Sequence, residues 1–167
     1  MRKLLYAFGL TSALVFALAA HAAAPNFAGT WTLDKSKSQG LSQRVQNAES
    51  VSWVITQTEK EITVEEKIAG GGGQGGGRMM GPQGPRTFNL DGTETTGEAG
   101  RGKFARKATL SSDGKTLELV SKLTFQNMEG TEITTTSTDK LSLSADGKVL
   151  TVVRHAESPR GAQDSTL

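Results

Sequence analysis

The sequence predicts an all-β fold: a single antiparallel up-and-down β-barrel of eight or nine short strands, preceded by a cleaved signal peptide. Three observations predict it. Apolar and polar residues alternate with period two in run after run beyond residue 25. Turn signals, among them Asp91-Gly92, Asp113-Gly114 and Asp146-Gly147, separate those runs at short intervals. No convincing long helical pattern interrupts them. A sequential meander of this size tends to close and so abolish its edges. Eight strands leave an interior that side chains fill or that holds one small ligand.

The first 24 residues have the order of a secretory signal. Arg2 and Lys3 supply a positive start, residues 4–19 are apolar apart from Thr11 and Ser12, and Ala20-His21-Ala22 gives a small-x-small cleavage pattern. Cleavage after Ala22 is expected, leaving a signal peptide over 1–22 and one domain over 23–167. A transmembrane anchor is the competing reading, but the apolar stretch is short, rich in small residues and followed by a cleavage pattern. There is no cysteine, which excludes disulfides, thiolate nucleophiles, Cys-ligated zinc and a lipid-bearing N-terminal Cys. The expectation is therefore soluble export, to the periplasm or outside the cell, with no integral membrane span after processing.

The whole chain carries 19 Lys and Arg against 17 Asp and Glu. Loss of Arg2 and Lys3 leaves 17 of each sign, so the mature protein is formally neutral. Nucleic-acid binding thereby loses its compositional argument. About 145 mature residues suit one domain with one core.

The first strand lies in Asn26-Phe27-Ala28-Gly29-Thr30-Trp31-Thr32-Leu33-Asp34. Phe27, Gly29, Trp31 and Leu33 share a face. Gly29 admits a close backbone approach, and the Trp31 indole is suited to filling the end of a closed sheet. Residues 34–40 are polar and turn-like. Residues 41–50 fit either a short helix, with Leu41, Val45 and Ala48 at helical spacing, or an irregular loop. Residues 51–58 and 61–68 read as an antiparallel hairpin around Glu59-Lys60. Its apolar faces carry Val51, Trp53 and Ile55, then Ile62, Val64 and Ile68, with Glu66 the one charged exception.

Residues 70–86 hold so much glycine that backbone entropy opposes a single conformation, and a flexible hairpin tip is expected. The stretch lacks the Gly-Lys-Ser/Thr ending of a phosphate loop. Met79 and Met80 without His or Cys nearby are a weak copper signal. Arg78 and Arg86 are read as keeping the loop soluble.

Residues 86–90 form a short strand with Phe88 and Leu90 in phase, and Asp91-Gly92 turns it into a return strand at 93–96. Another loop spans 97–102. The strand at 103–110 puts Phe104, Arg106, Ala108 and Leu110 on one face. Leu117, Leu119, Leu123 and Phe125 define a longer strand. Ile133, Leu141 and Leu143 are in phase along the Thr-rich 131–143, whose β-branched content favours strand. Residues 148–155 are the final clear strand, and 158–167 is polar with little power to order itself. Ser112-Asp113-Gly114-Lys115-Thr116-Leu117 and Ala145-Asp146-Gly147-Lys148-Val149-Leu150 read as one turn chemistry used twice.

No catalytic constellation emerges, and no enzyme, cofactor or metal is expected. His155 is the only mature histidine, at a strand end where a surface role is ordinary. Glu59, Glu61, Glu65 and Glu66 are split between faces by alternation. Outer-membrane pore strands need apolar bands of about ten residues, and the strands here are mostly shorter and charged on the second face.

Gly29-Thr30-Trp31 in the first strand, directly after the signal segment, and the meander that follows resemble the lipocalin (calycin) superfamily, in particular its small exported bacterial domains. The resemblance implies that Phe27, Gly29 and Trp31 close the barrel floor, with Arg154 from the last strand packing over the Trp31 indole. Arg154 shares a face with Leu150 and Val152, so an unbroken strand turns it toward the core, where an indole is a good partner; the alternative is an end-of-strand arginine in solvent. The family's Thr-Asp-Tyr motif is not reproduced: Thr138-Asp139-Lys140 falls inside a strand and is read as chance. The expected function is binding of a small apolar or amphipathic ligand. The lining candidates are Val51, Trp53, Ile55, Ile62, Val64, Phe88, Leu117, Leu119, Leu123, Ile133 and Leu141. The same set also suits a ligand-free core, and the alternative is a structural or interaction barrel of the cell envelope acting through its loops on an unknown protein partner.

Overall fold

A computed structural model describes residues 25–70, 84–100 and 102–167. The expected signal peptide and Met79 and Met80 lie outside them, as does most of the Gly-rich loop.

The described chain is an antiparallel meander in two sheets. β1 (Gly29–Thr32), β2 (Ser50–Gln57), β3 (Glu61–Ala69) and β4 (Arg86–Asn89) form the first sheet in that order. β5 (Thr95–Ala99), β6 (Gly102–Leu110), β7 (Thr116–Gln126), β8 (Glu132–Leu143), β9 (Leu150–Ser158) and β10 (Gly161–Thr166) form the second. Every ladder joins sequence neighbours. Between β1 and β2 lies one short helix, α1 (Gln43–Asn47), whose N-cap Ser42 hydroxyl accepts from the Val45 amide. No helix among the described residues is long and apolar enough to cross a membrane.

The repeated Asp-Gly phrase builds the same turn twice. Asp113 accepts from the Ser111 hydroxyl and the Lys115 amide, and Asp146 does the same with Ser144 and Lys148. Ser111 and Ser144 in turn accept from the Thr116 and Val149 amides. Gly114 and Gly147 have φ of 70° and 68°, the left-handed region these turns require. The serine hydrogen bonds, ahead of the lysine amides, hold both carboxyls below the usual aspartate value.

Three expectations are corrected. The meander does not close into a barrel. β4 is only four residues long, and the turn that follows carries the chain to the other sheet instead of returning along β4. Asp91 accepts from the Thr93 amide at 2.8 Å, and β5 then pairs with β6 alone. At the opposite seam Gln39 makes a single bridge to Thr166, with N–O distances of 2.8 and 3.0 Å. Second, the polar C-terminus is ordered as β10, because backbone pairing needs no apolar side chains. Its ladder to β9 is completed by Leu167, which exchanges both backbone hydrogen bonds with Val152 and packs on the core. Third, Arg86 is not a solubilising loop residue: it opens β4 opposite Val64.

The two inner faces share one core. Phe27, Ile62, Val64, Phe88 and Leu141 are fully buried, and Trp53, Ile55, Ala108, Leu117, Leu119 and Val152 complete the cluster. Phe27 precedes β1 and is held there by side chains. The Gln57 amide accepts from the Phe27 N–H and donates to the Pro25 carbonyl, while the Trp31 indole donates to the Phe27 carbonyl at 2.9 Å.

On the outer face, His155 of β9 lies between Asp164 of β10 at 2.6 Å and Glu157 at 3.2 Å. Its hydrogen bond to Asp164, then that to Glu157, raises the imidazole pKa. A raised folded pKa means this contribution to stability is complete below about pH 6.5, the unfolded value, and is lost as pH rises through the folded pKa. An NMR titration of native His155 is expected to give a midpoint above the free value, and His155→Gln to remove that part of the stability slope. A midpoint at or below the free value would refute the assignment.

Candidate functional site

Alternation on five strands places a charge where the pattern calls for an apolar residue. Glu66 follows Ile62 and Val64 on the inner face of β3, Arg86 precedes Phe88 on β4, and Arg106 precedes Ala108 on β6. Asp139 precedes Leu141 on β8, and Arg154 follows Val152 on β9. The ladders set these residues against the edge of the packed core. Trp53 is opposite Glu66, Val64 opposite Arg86, and Asp139 opposite Arg154.

Asp139 is the centre of this charged layer and is completely buried. Its Oδ1 accepts from Arg154 Nε at 2.6 Å and its Oδ2 from Arg154 Nη2 at 3.3 Å. Arg86 reaches the same Oδ2 with both terminal nitrogens at 3.4 Å, from the other sheet. Glu66 adds a looser contact to Arg154 at 3.9 Å. The network therefore ties β3 and β4 to β8 and β9 at a seam where no backbone ladder runs. Burial works against the Arg154 charge, but the Asp139 carboxylate, by charge and by hydrogen bond, and then Glu66 outweigh it, so its pKa is raised.

Both guanidiniums also lie over Trp53, Arg154 at 5.1 Å and Arg86 at 5.8 Å from the ring centroid. This corrects the expected pairing of Arg154 with Trp31. Trp31 stands directly opposite Trp53 in the β1–β2 ladder, is only half-buried, and spends its N–H on the Phe27 carbonyl. Gly29, at φ 150°, brings its Cα against that indole: a Cβ there would lie 3.6 Å from Nε1.

Arg106 is the third guanidinium of the layer. It stacks on the Phe104 ring at 4.1 Å and has no carboxylate partner among the described residues. Burial first, and then repulsion from Arg86, lowers its pKa. Three guanidiniums against the two carboxylates of Asp139 and Glu66 leave the layer with an excess positive charge.

Of the expected lining, Val51, Trp53, Ile55, Ile62, Val64, Phe88, Leu117, Leu119 and Leu141 are buried, and all but Val51 belong to the packed core. Leu123 and Ile133 are half-buried and lie beyond the charged layer, on the same inner-face stretch as the half-buried Ile68, Phe104 and Phe125. Two surface depressions, of about 350 and 410 Å³, include none of the expected lining residues. The first is lined by Lys35, Ser38, Gly40, Leu41 and Gln46, the second mainly by β5 and β6 around Gly97 and Phe104. Among the described residues no three His, Asp or Glu gather as metal ligands.

Sequence reasoning passed over Arg86, Arg106 and Asp139, although each is in phase with the apolar residues of its strand. That in-phase charge was the available signal. No protein-family model matches the chain, and neither the curated proteins nor the solved structures give a match.

Proposed function

We propose that the mature chain is an exported, lipocalin-like binding domain that takes one small apolar or amphipathic molecule between its sheets. The ligand lies beyond the charged layer, against Ile68, Phe104, Leu123, Phe125 and Ile133. One observation carries this reading. The inner-face apolar side chains Phe104, Leu123, Phe125 and Ile133, ladder neighbours on β6, β7 and β8, and Ile68 on β3 stay only half-buried although all lie in phase with the core residues of their strands. Half-buried apolar surface gains when a ligand covers it, by roughly 25 cal/mol per Å². A charged floor under apolar walls suits a molecule with one polar end.

A second reading, a ligand-free β-domain acting through its loops, is favoured by the close packing of most of the expected lining into the core. The neutral fluorophore N-phenyl-1-naphthylamine separates the two. It is expected to bind with a blue shift and to be lost on Leu123→Arg or Ile133→Arg, both at half-buried positions, with circular dichroism checking that each variant is folded. Failure of the folded protein to bind it would reject the ligand reading in favour of the second.

A further inference from the structure

We infer that Thr95 and Arg106 are the donors of an oxyanion subsite, which takes the carboxylate or phosphate end of the ligand proposed above. The inference rests on that reading and specifies its head group.

Among the described residues, the buried side-chain polar atoms without a hydrogen-bond partner are Thr95 Oγ1 and Arg106 Nε. A buried donor left unmade costs about 1–3 kcal/mol, so native structures leave few of them. These two are not scattered. Thr95 on β5 is the direct ladder partner of Arg106 on β6, so the two side chains rise side by side from the inner face. The same transverse row continues with Ser121 on β7 and Ser137 on β8, two further hydroxyls in register. A guanidinium flanked by hydroxyls is a donor set for an oxyanion.

The neighbours support the same chemistry. Arg86 and Arg154 are committed to Asp139, whereas Arg106 has no such counter-ion among the described residues. Its guanidinium carbon lies 4.1 Å from the Phe104 ring centroid, and its buried, unpartnered Nε–H is the donor that an oxyanion would satisfy. Phe104 also belongs to the half-buried apolar stretch, so one side chain would contact the ligand's body while orienting the cation that holds its head.

The test is displacement of N-phenyl-1-naphthylamine by laurate, dodecyl phosphate and 1-dodecanol, which share one apolar chain. An anion is expected to displace the probe at about tenfold lower concentration than the alcohol, as a charge-assisted contact warrants. Whichever anion leads identifies carboxylate or phosphate as the head. Arg106→Gln and, separately, Thr95→Val are each expected to bring the ratio toward one, and rising salt to weaken the anions alone. Equal displacement by all three in the unaltered protein overturns the oxyanion subsite while leaving the apolar reading in place. Anion preference that survives both substitutions overturns the assignment to these residues. Failure to bind the probe at all overturns the underlying reading and this inference with it.

Discussion

Asp139→Ala is expected to destabilise the protein by about 3–5 kcal/mol, measured by denaturant unfolding at constant m-value. The carboxylate is fully buried and accepts from two guanidiniums on different sheets. Removing it leaves Arg86 and Arg154 in a low-dielectric layer where, among the described residues, only Glu66 is in reach, at 3.9 Å from Arg154. Two cations above one indole then repel where they were held together. Loss of the charge also loosens the seam between β4 and the second sheet, where no backbone ladder compensates. Combining Asp139→Leu with Arg86→Met and Arg154→Met is expected to recover most of the loss, since a buried ion cluster and an apolar replacement of similar volume are often nearly equal in stability. A loss below about 1 kcal/mol for Asp139→Ala would mean that water reaches the layer and screens it.

Trp53→Ala is expected to cost about 3–5 kcal/mol, and Trp31→Ala less, about 1–2 kcal/mol. The two indoles are ladder partners, yet their surroundings differ. Trp53 is 5% exposed, belongs to the core and lies under both guanidiniums. Trp31 is half-buried and anchors one carbonyl of the N-terminal segment. Arg154→Ala should couple to Trp53 and not to Trp31 in double-mutant cycles. Equal costs for the two tryptophans, or coupling to Trp31 instead, would contradict the observed stacking.

Strand identity was legible because alternation and Asp-Gly turns are local. Ile62, Val64, Leu117, Leu119 and Leu141 could be assigned to an inner face from period two alone. The serine-capped turns at Asp113 and Asp146 were legible as a repeated phrase for the same reason. The end of the chain was misread because β10 is ordered by its ladder to β9, and a ladder made of backbone groups leaves no mark in side-chain composition.

By itself, then, the sequence determined an antiparallel meander, the inward face of most strands and the apolar core that those faces build. Only the tertiary structure decided that the strands divide into two sheets. Closure depends on whether β4 and β5 meet edge to edge, and that is settled by strand length and by the path after Asp91, not by the pattern within either strand. Tertiary structure also decided which charges meet. Glu66, Arg86, Arg106, Asp139 and Arg154 span 89 positions of the chain, and each alone looks like a defect in its strand's alternation. Packing the two sheets face to face gives Asp139 its two cations and leaves Arg106 without an anion among the described residues. That outcome depends on inter-sheet register at ångström scale, which no single strand encodes.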